Sequence, residues 1–455
     1  LSIDDPVRKY VPELPDFGTP ILIRHFLTHT SGLRSQWPML TLAGRPPGLA
    51  VHTVPEILEL VSHYTELNFK PGDEYLYNNT AFTLLSVIVE RVSGKSFNQF
   101  CQERLFGPLG MTRTQWREDF TAVVPNRATA YRLMPGGGFR TLMPFTNVIG
   151  NGGLLTTVGD LLIWNENLDR PRVGGQDLVA RLQTRGRLND GFENEYAEGL
   201  VVTEYRGTRE VSHGGSTAGY QTFLARFPDH GLSVAVLCNT TGTNPSRSAH
   251  DIADVVLAGR LKAPTVVNAV AVPPAVLERL AGVYRETSTD AVLRLRWDAT
   301  ALALRAGGQL LVPTGPGELH TQDGARKYST ERGWPEDAAI GPLVETAGRA
   351  RPRRWDPQRP YAPDETQLRE FAGEYTSDEL GVTYAVYVQD GALNVRFRPA
   401  QRYALEPVFK DAFAGDGNVI RFTRSADGGV DGLRVYAGRA YHVRFVRRDG
   451  DRPGR

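Results

Sequence analysis

With 455 residues, 41% of them hydrophobic and 23% charged, the chain is too long for one ordinary core and is expected to divide into two or three globular domains. Its 52 lysines and arginines nearly cancel its 51 aspartates and glutamates, which leaves no electrostatic footprint for nucleic acid or anionic lipid and points to a small-molecule or peptide substrate. The longest apolar stretches, such as Leu84 to Val89 and Val234 to Cys238, fall far short of the roughly 20 residues that span a bilayer, so no membrane helix is expected. Cys101 and Cys238 both sit in apolar segments and read as small buried hydrophobes rather than as a disulfide or a reactive thiol. A start at Leu1, without methionine or a signal-like leader, implies processing or truncation.

In chain order, Leu27-Thr28-His29-Thr30-Ser31-Gly32-Leu33 reads as a helix end, with Gly32 placed to take the left-handed C-terminal conformation. His29 and Ser31 have catalytic side chains, but a histidine at a helix end commonly satisfies backbone groups, and that reading is preferred. Pro71-Gly72-Asp73-Glu74-Tyr75-Leu76-Tyr77-Asn78-Asn79 is a turn feeding a helix, and it sets a phenol (Tyr77) and an amide (Asn79) two residues apart at the helix entrance. Taken alone, these are also ordinary turn residues. Ala81, Leu84, Leu85, Ile88 and Val92 recur at helical spacing behind Asn79 as N-cap, and Gly94 follows as a stop. Ser96 and Gln99 open a second helix running towards Leu105.

Val211-Ser212-His213-Gly214-Gly215-Ser216-Thr217-Ala218-Gly219-Tyr220 reads either as a turn or as a strand edge. In the second case, paired glycines let a substrate backbone approach and free amides can bind an oxyanion. Tyr220 to Phe227 and Leu232 to Cys238 flank Pro228-Asp229-His230-Gly231, as an antiparallel hairpin requires. The fold class expected for residues 1–263 is therefore α+β, an antiparallel sheet flanked by helices.

Lys262 to Pro274 lacks periodicity and reads as a linker, and Arg359 to Thr366 as a second one. Beyond the first linker nearly every segment alternates like a strand, and the pattern repeats. Leu280-Ala281-Gly282-Val283-Tyr284 aligns with Phe371-Ala372-Gly373-Glu374-Tyr375 at an offset of about 91 residues. Alternating segments, Leu293 to Trp297 and Tyr384 to Val388, follow in the two copies. Two all-β modules, 275–360 and 367–455, built as small barrels or sandwiches, are the simplest account.

Together and in order, several segments resemble the serine β-lactamase-like family: class C β-lactamases, penicillin-binding proteins, D-aminopeptidases and related esterases. They are Leu1 to Val7, the His29-Thr30-Ser31-Gly32-Leu33 segment, Pro71-Gly72 ahead of Tyr77-x-Asn79, Gly94, Pro108-Leu109-Gly110-Met111, Gly152-Gly153-Leu154 with Asp160, and His213-Gly214-Gly215. The resemblance covers residues 1 to about 260 and implies a hydrolase acting through a Ser-x-x-Lys nucleophile and two further motifs. Those two would be Tyr77 with Asn79, and His213 with Gly215.

By that resemblance Tyr77 takes the serine proton and later activates water, helped by the positive charge of the motif lysine, because a free tyrosine has a pKa near 10. Asn79 holds substrate and lysine. The Ser216 amide completes an oxyanion hole worth about 3 kcal/mol per donor. His213, Gly214 and Gly215 line the substrate. Histidine in place of lysine weakens the field for a substrate carboxylate and argues against efficient penicillin hydrolysis. The paired modules resemble those of D-aminopeptidases and favour peptides, with small esters next. Many members of the family are exported.

The nucleophile motif itself is not found. The residues three before the six lysines (Lys9, Lys70, Lys95, Lys262, Lys327 and Lys410) are Pro6, Leu67, Val92, Gly259, Gly324 and Pro407. In relatives the motif lies about 20 residues before the segment resembling Leu1 to Val7, so it is expected upstream, and residues 1–455 alone are expected to be inactive. A catalytically inactive ligand-binding or regulatory relative is the alternative. No metal or cofactor is expected, because neither His-Glu-x-x-His nor a comparable cluster occurs, and the absence of Gly-x-Ser-x-Gly argues against an α/β-hydrolase.

Overall fold

The computed structural model describes residues 1–331, 333–334, 341–398 and 401–448. Two compact units emerge, one of Leu1–Trp37 with Arg45–Pro264, the other of Pro38–Gly44 with Thr265–Arg455.

The first unit begins with short helices, α1 (Ile23–Leu27), α2 (Gln36–Leu42, which the division crosses) and α3 (Val54–Ser62). Then comes the 15-residue α4 (Asn79–Ser93). Its cap is Asn78, not Asn79 as expected: the Asn78 side chain accepts from the Ala81 amide at 2.9 Å while its Nδ2 donates to the Leu33 carbonyl. Gly94 stops the helix in the left-handed region at φ 69°, as its position predicts. Ala81, Leu84, Val87 and Ile88 form the buried stripe, whereas Val92, expected there, is 50% exposed. Ser96 caps α5 (Phe97–Cys101), which continues through a π-helical turn, Gln102–Phe106, into α6 (Gly107–Leu109). Cys101 is buried, but Cys238 is only partly so.

Strands β1 (Gln115–Trp116), β2 (Tyr131–Leu133), β3 (Phe139–Thr141) and β4 (Leu154–Leu155) make two small ladders, β1 with β4 and β2 with β3. After α7 (Val158–Asp169) and α8 (Gly175–Leu182) comes the main antiparallel sheet. Its strands β5 (Val201–Tyr205), β6 (Thr208–Thr217), β7 (Tyr220–Phe227) and β8 (Leu232–Cys238) lie in sequence order. Pro228–His230 forms a tight 3-10 turn between β7 and β8, closed by Gly231 at φ 61°, so the expected hairpin is present. Helix α9 (Pro245–Val256) lays Ala249, Ala253 and the following Leu257 on Ala225, Phe227 and Val234 of the sheet, six buried side chains that exclude water from that face.

Residues 262–273 carry no helix or strand. In the second unit, α10 (Pro274–Glu278) leads into a closed antiparallel barrel of eight strands, β9 (Gly282–Arg285) to β16 (Arg353–Pro357). Helix α11 (Glu365–Arg369) leads into an equal barrel, β17 (Gly373–Ser377) to β24 (Val443–Arg447). Closure pairs the first strand of each barrel with its last and leaves no free edge. The repeat is physical as well as textual: buried Tyr284 donates to the Leu280 carbonyl at 2.9 Å, and buried Tyr375 to the Phe371 carbonyl at 2.8 Å. Between the barrels, Val283 and Val292 pack against Val408, Phe409, Ala412 and Val419. Buried Asp290 there binds Arg285 of its own barrel and, across the seam, Arg421 at 2.7 Å and His442 at 3.4 Å.

Candidate active site

The positions of Tyr77 and Asn79 follow from a backbone ladder. Asn68 donates to Gly32 O at 2.7 Å, Gly72 to Thr30 O at 2.7 Å and Leu76 to His29 O at 2.9 Å, which lays residues 68–77 along residues 29–32. Glycine is required at position 32: φ is +70°, and a Cβ there would lie 1.9 Å from the Phe69 carbonyl oxygen. The left-handed residue that follows α1 and its Thr28 cap is His29, at φ 56°, while Gly32 turns the loop beyond.

His29 is 1% exposed, and its Nδ1 accepts the Asn78 amide at 3.1 Å; it does satisfy a backbone group, but one 49 residues away rather than the local groups expected. It has a second role that the sequence did not disclose. Its ring packs 4.2 Å, centroid to centroid, from Tyr77 and 4.9 Å from Phe82, forming the inner wall behind the Tyr77 phenol.

Across from this wall stands His213 on β6, its ring centroid 6.1 Å from that of Tyr77. Strand β6 is internal only in part. Its pairing with β5 ends at Val201↔Ser212, and from His213 to Thr217 its partner among the described residues is β7 alone. Gly214, Gly215 and Ser216 are solvent-exposed along this half-open stretch. The expected strand edge thus exists, and it starts where β5 stops.

Tyr196, which the sequence reading missed, joins the group. It is 3% exposed, with ring centroids 4.5 Å from His29, 6.1 Å from Tyr77 and 5.7 Å from His213, and its hydroxyl lies 3.1 Å from His213 Nε2. The other nitrogen, Nδ1, lies 2.6 Å from the Gly214 carbonyl, which can only accept. Nδ1 therefore carries the proton, and Nε2 of the neutral ring accepts from Tyr196. Burial lowers the His213 pKa against the opposing pull of the Gly214 bond, and burial, then Tyr77 and Tyr75, pushes the Tyr196 phenol up. Tyr196 is thus a donor at neutral pH, not a base. Its only signal in the sequence is Tyr196-x-x-Gly199 ahead of a strand, which marks a turn and no chemistry.

The structure thus brings Tyr77 and His213 together directly. Asn79 sits in the first turn of α4, two residues from Tyr77, and its side chain takes no part in capping. Ser216 lies three residues beyond His213 on the open stretch of β6. Among the described residues no cluster of histidine, cysteine, aspartate or glutamate could hold a metal ion, and no helix is long and apolar enough to cross a membrane.

A family model described as Beta-lactamase matches residues 1–258, more than half of the chain. The D-aminopeptidase of Brucella anthropi is 28% identical over 243 residues, 53% of this chain and 45% of that protein. The D-aminopeptidase of Brucella canis is 28% identical over 240 residues, with the same coverage of 53% and 45%. The chain therefore spans a little under half the length of these relatives. Among solved structures, the octameric penicillin-binding protein homologue from Pyrococcus abyssi matches with a TM-score of 0.50 at 20% identity, over 98% of this chain and 83% of that one, and so shares its fold. With its family model spanning the helices and sheet that hold Tyr77 and His213, the chain belongs to the Beta-lactamase family of serine hydrolases.

Proposed function

We propose that the protein hydrolyses amide or ester bonds through an acyl-enzyme, with D-amino-acid peptides as the first substrate class and small esters as the second. The observation that carries this reading is the Tyr77 ring facing His213 where β6 loses its β5 neighbour. The likeness to the Brucella D-aminopeptidases favours peptides.

A serine Oγ attacks the substrate carbonyl as its proton passes to Tyr77, and the developing oxyanion is held by the Ser216 amide and the nucleophile's own amide. Collapse breaks the amide or ester bond, and Tyr77 returns the proton to the leaving group. It then takes a proton from the water that attacks the acyl-enzyme and passes it to the serine Oγ as the Oγ–acyl bond breaks and the acid leaves. Asn79 orients the substrate, while His213, Gly214 and Gly215 line it along the open strand. The serine belongs to a Ser-x-x-Lys segment that residues 1–455 do not contain.

That last point also favours a second reading, a ligand-binding relative without catalysis. Intact-mass spectrometry after fluorophosphonate treatment decides between them, applied to residues 1–455 and to the product of the complete gene. A stoichiometric adduct only on the complete product, at a serine three residues before a lysine, is expected. No adduct on either form supports the binder, and an adduct on a serine within residues 1–455 overturns the assignment.

A further inference from the structure

The scheme above uses His213 and gives no task to Tyr196, the buried phenol bonded to it. Tyr196 arrives there through the same change of course that uncovers β6. Strand β5 begins at Val201, which faces Ser212, and upstream of Val201 the chain turns instead of continuing the ladder beside His213. The Ala197 amide closes that turn on Leu200 O at 2.7 Å, and Tyr196 bridges antiparallel to Val201. The Tyr196 backbone is held twice more, its amide on Asn194 Oδ1 at 2.7 Å and its carbonyl by the Gly186 amide at 2.8 Å. Its ring lies against those of His29 and Tyr75, with centroids 4.5 and 5.8 Å away, and its hydroxyl reaches His213 Nε2 at 3.1 Å.

A buried hydroxyl within reach of a nitrogen acceptor gives its hydrogen bond there rather than leave both groups unpaired. With Nδ1–H on Gly214 O at 2.6 Å, both nitrogens of His213 are then engaged, and any rotation or flip of the ring forfeits two hydrogen bonds. The groups around the ring are Tyr196 from the turn before β5, Tyr77 from the segment before α4 and, in register on β7, Leu224. No lysine, arginine, aspartate or glutamate among the described residues acts on it, and burial disfavours the imidazolium. We infer that Tyr196 is a positioning residue: its hydroxyl pins His213 in one orientation as the neutral Nδ1–H tautomer and so keeps a titrating charge away from Tyr77. A unit charge at the 6.1 Å that separates the His213 and Tyr77 rings would change a phenol's proton affinity by about 10-fold or more. The effect on turnover rests on the acyl-enzyme reading, in which Tyr77 moves the proton. The tautomer does not.

The test uses the protein from the complete gene with isotope-labelled histidine, the His213 nitrogen signals being identified by their loss in His213→Gln. In the unaltered protein Nδ1 should resonate as a protonated ring nitrogen and Nε2 as an unprotonated one from about pH 8 down to about pH 5.5. In Tyr196→Phe, which keeps the ring, the His213 titration should move up by about one pH unit or more, because the bond that favours the neutral imidazole is gone. A protonated Nε2 in the unaltered protein at neutral pH, or a titration that Tyr196→Phe leaves in place, overturns the inference. If the variant does not fold, the spectrum of the unaltered protein decides it alone.

The pH profile of kcat/KM on D-alanine p-nitroanilide then tests the role in turnover. Tyr196→Phe should add a step of about 3-fold or more whose midpoint matches the His213 titration and which disappears in the double variant Tyr196→Phe, His213→Gln. A loss equal at every pH, with no step, overturns the positioning role, because a merely structural defect would act in that way. If the unaltered protein hydrolyses neither the anilide nor a small ester, the acyl-enzyme reading fails, while the nitrogen spectra still decide whether Tyr196 sets the His213 tautomer.

Discussion

In the proposed mechanism Tyr77 carries the heaviest chemical load, with the buried His29 ring packed 4.2 Å from its own and the neutral His213 ring at 6.1 Å, centroid to centroid. In the complete protein Tyr77→Phe should lower turnover by roughly 100-fold or more, as loss of an acid-base group does. An unchanged rate with several esters would remove it from the mechanism. Asn79→Ala should also impair turnover, through misplaced substrate, with little effect on stability because Asn78 is the helix cap. Gly32 acts through geometry alone. A methyl group there meets the Phe69 carbonyl oxygen at 1.9 Å on a backbone held at φ +70°, so Gly32→Ala should cost about 2–4 kcal/mol. Urea unfolding would register this as a lower midpoint at constant slope, and an unshifted midpoint would mean that the loop relaxes freely.

Among the elements, α1 carries a built-in acid sensitivity. The Leu22 amide donates to His25 Nδ1 at 3.2 Å across the helix start, a bond that protonation of that nitrogen breaks. Burial, with Arg24 adding to it, lowers the His25 pKa from 6.5 to about 4. Between those values the unfolded chain binds a proton that the folded one refuses. The stability it contributes is therefore complete above about pH 6.5 and is lost as pH falls towards 4. His25→Gln should flatten the acid limb of a stability-pH curve in that window, and an unaltered limb would argue against the bond.

Helix α4 and the β7–β8 hairpin were legible because their signals are local: a cap, an apolar stripe, a left-handed glycine, a four-residue turn. Even there, choosing between Asn78 and Asn79 as cap needed the Leu33 carbonyl, 45 residues away, which receives the Asn78 amide. The site's walls were not legible for the same reason. His29 meets Asn78 across 49 residues and Tyr196 meets His213 across 17, and no spacing rule reports such pairs.

At the scale of the whole molecule, the paired barrels were readable from alternation and from the repeat, which records the matching Tyr284 and Tyr375 bonds. The seam between them was not. Asp290 sits there at 2% exposure; burial raises its pKa, but His442, Arg421 and Arg285 outweigh that and hold it at about 2, below its ordinary 3.8. Its contribution is full above about pH 3.8 and is lost as pH falls through about 2. Asp290→Asn should cost about 3 kcal/mol by leaving the half-buried Arg285 and Arg421 guanidiniums without their carboxylate, seen as a lower Tm at neutral pH. A Tm unchanged in the variant would show that the apolar contacts alone join the barrels.

The half-covered strand β6 has a different consequence. A bare strand edge invites other chains to add to it, the route by which sheets stack into aggregates. Here the bare stretch is short and contains Gly214 and Gly215, which give an intruding strand no side chains to pack against and make extended pairing entropically poor. The same two glycines that line the substrate in the proposed mechanism thus make the edge a poor template for self-assembly, so under that proposal access for short peptides and resistance to fibre growth would come from one pair of missing side chains.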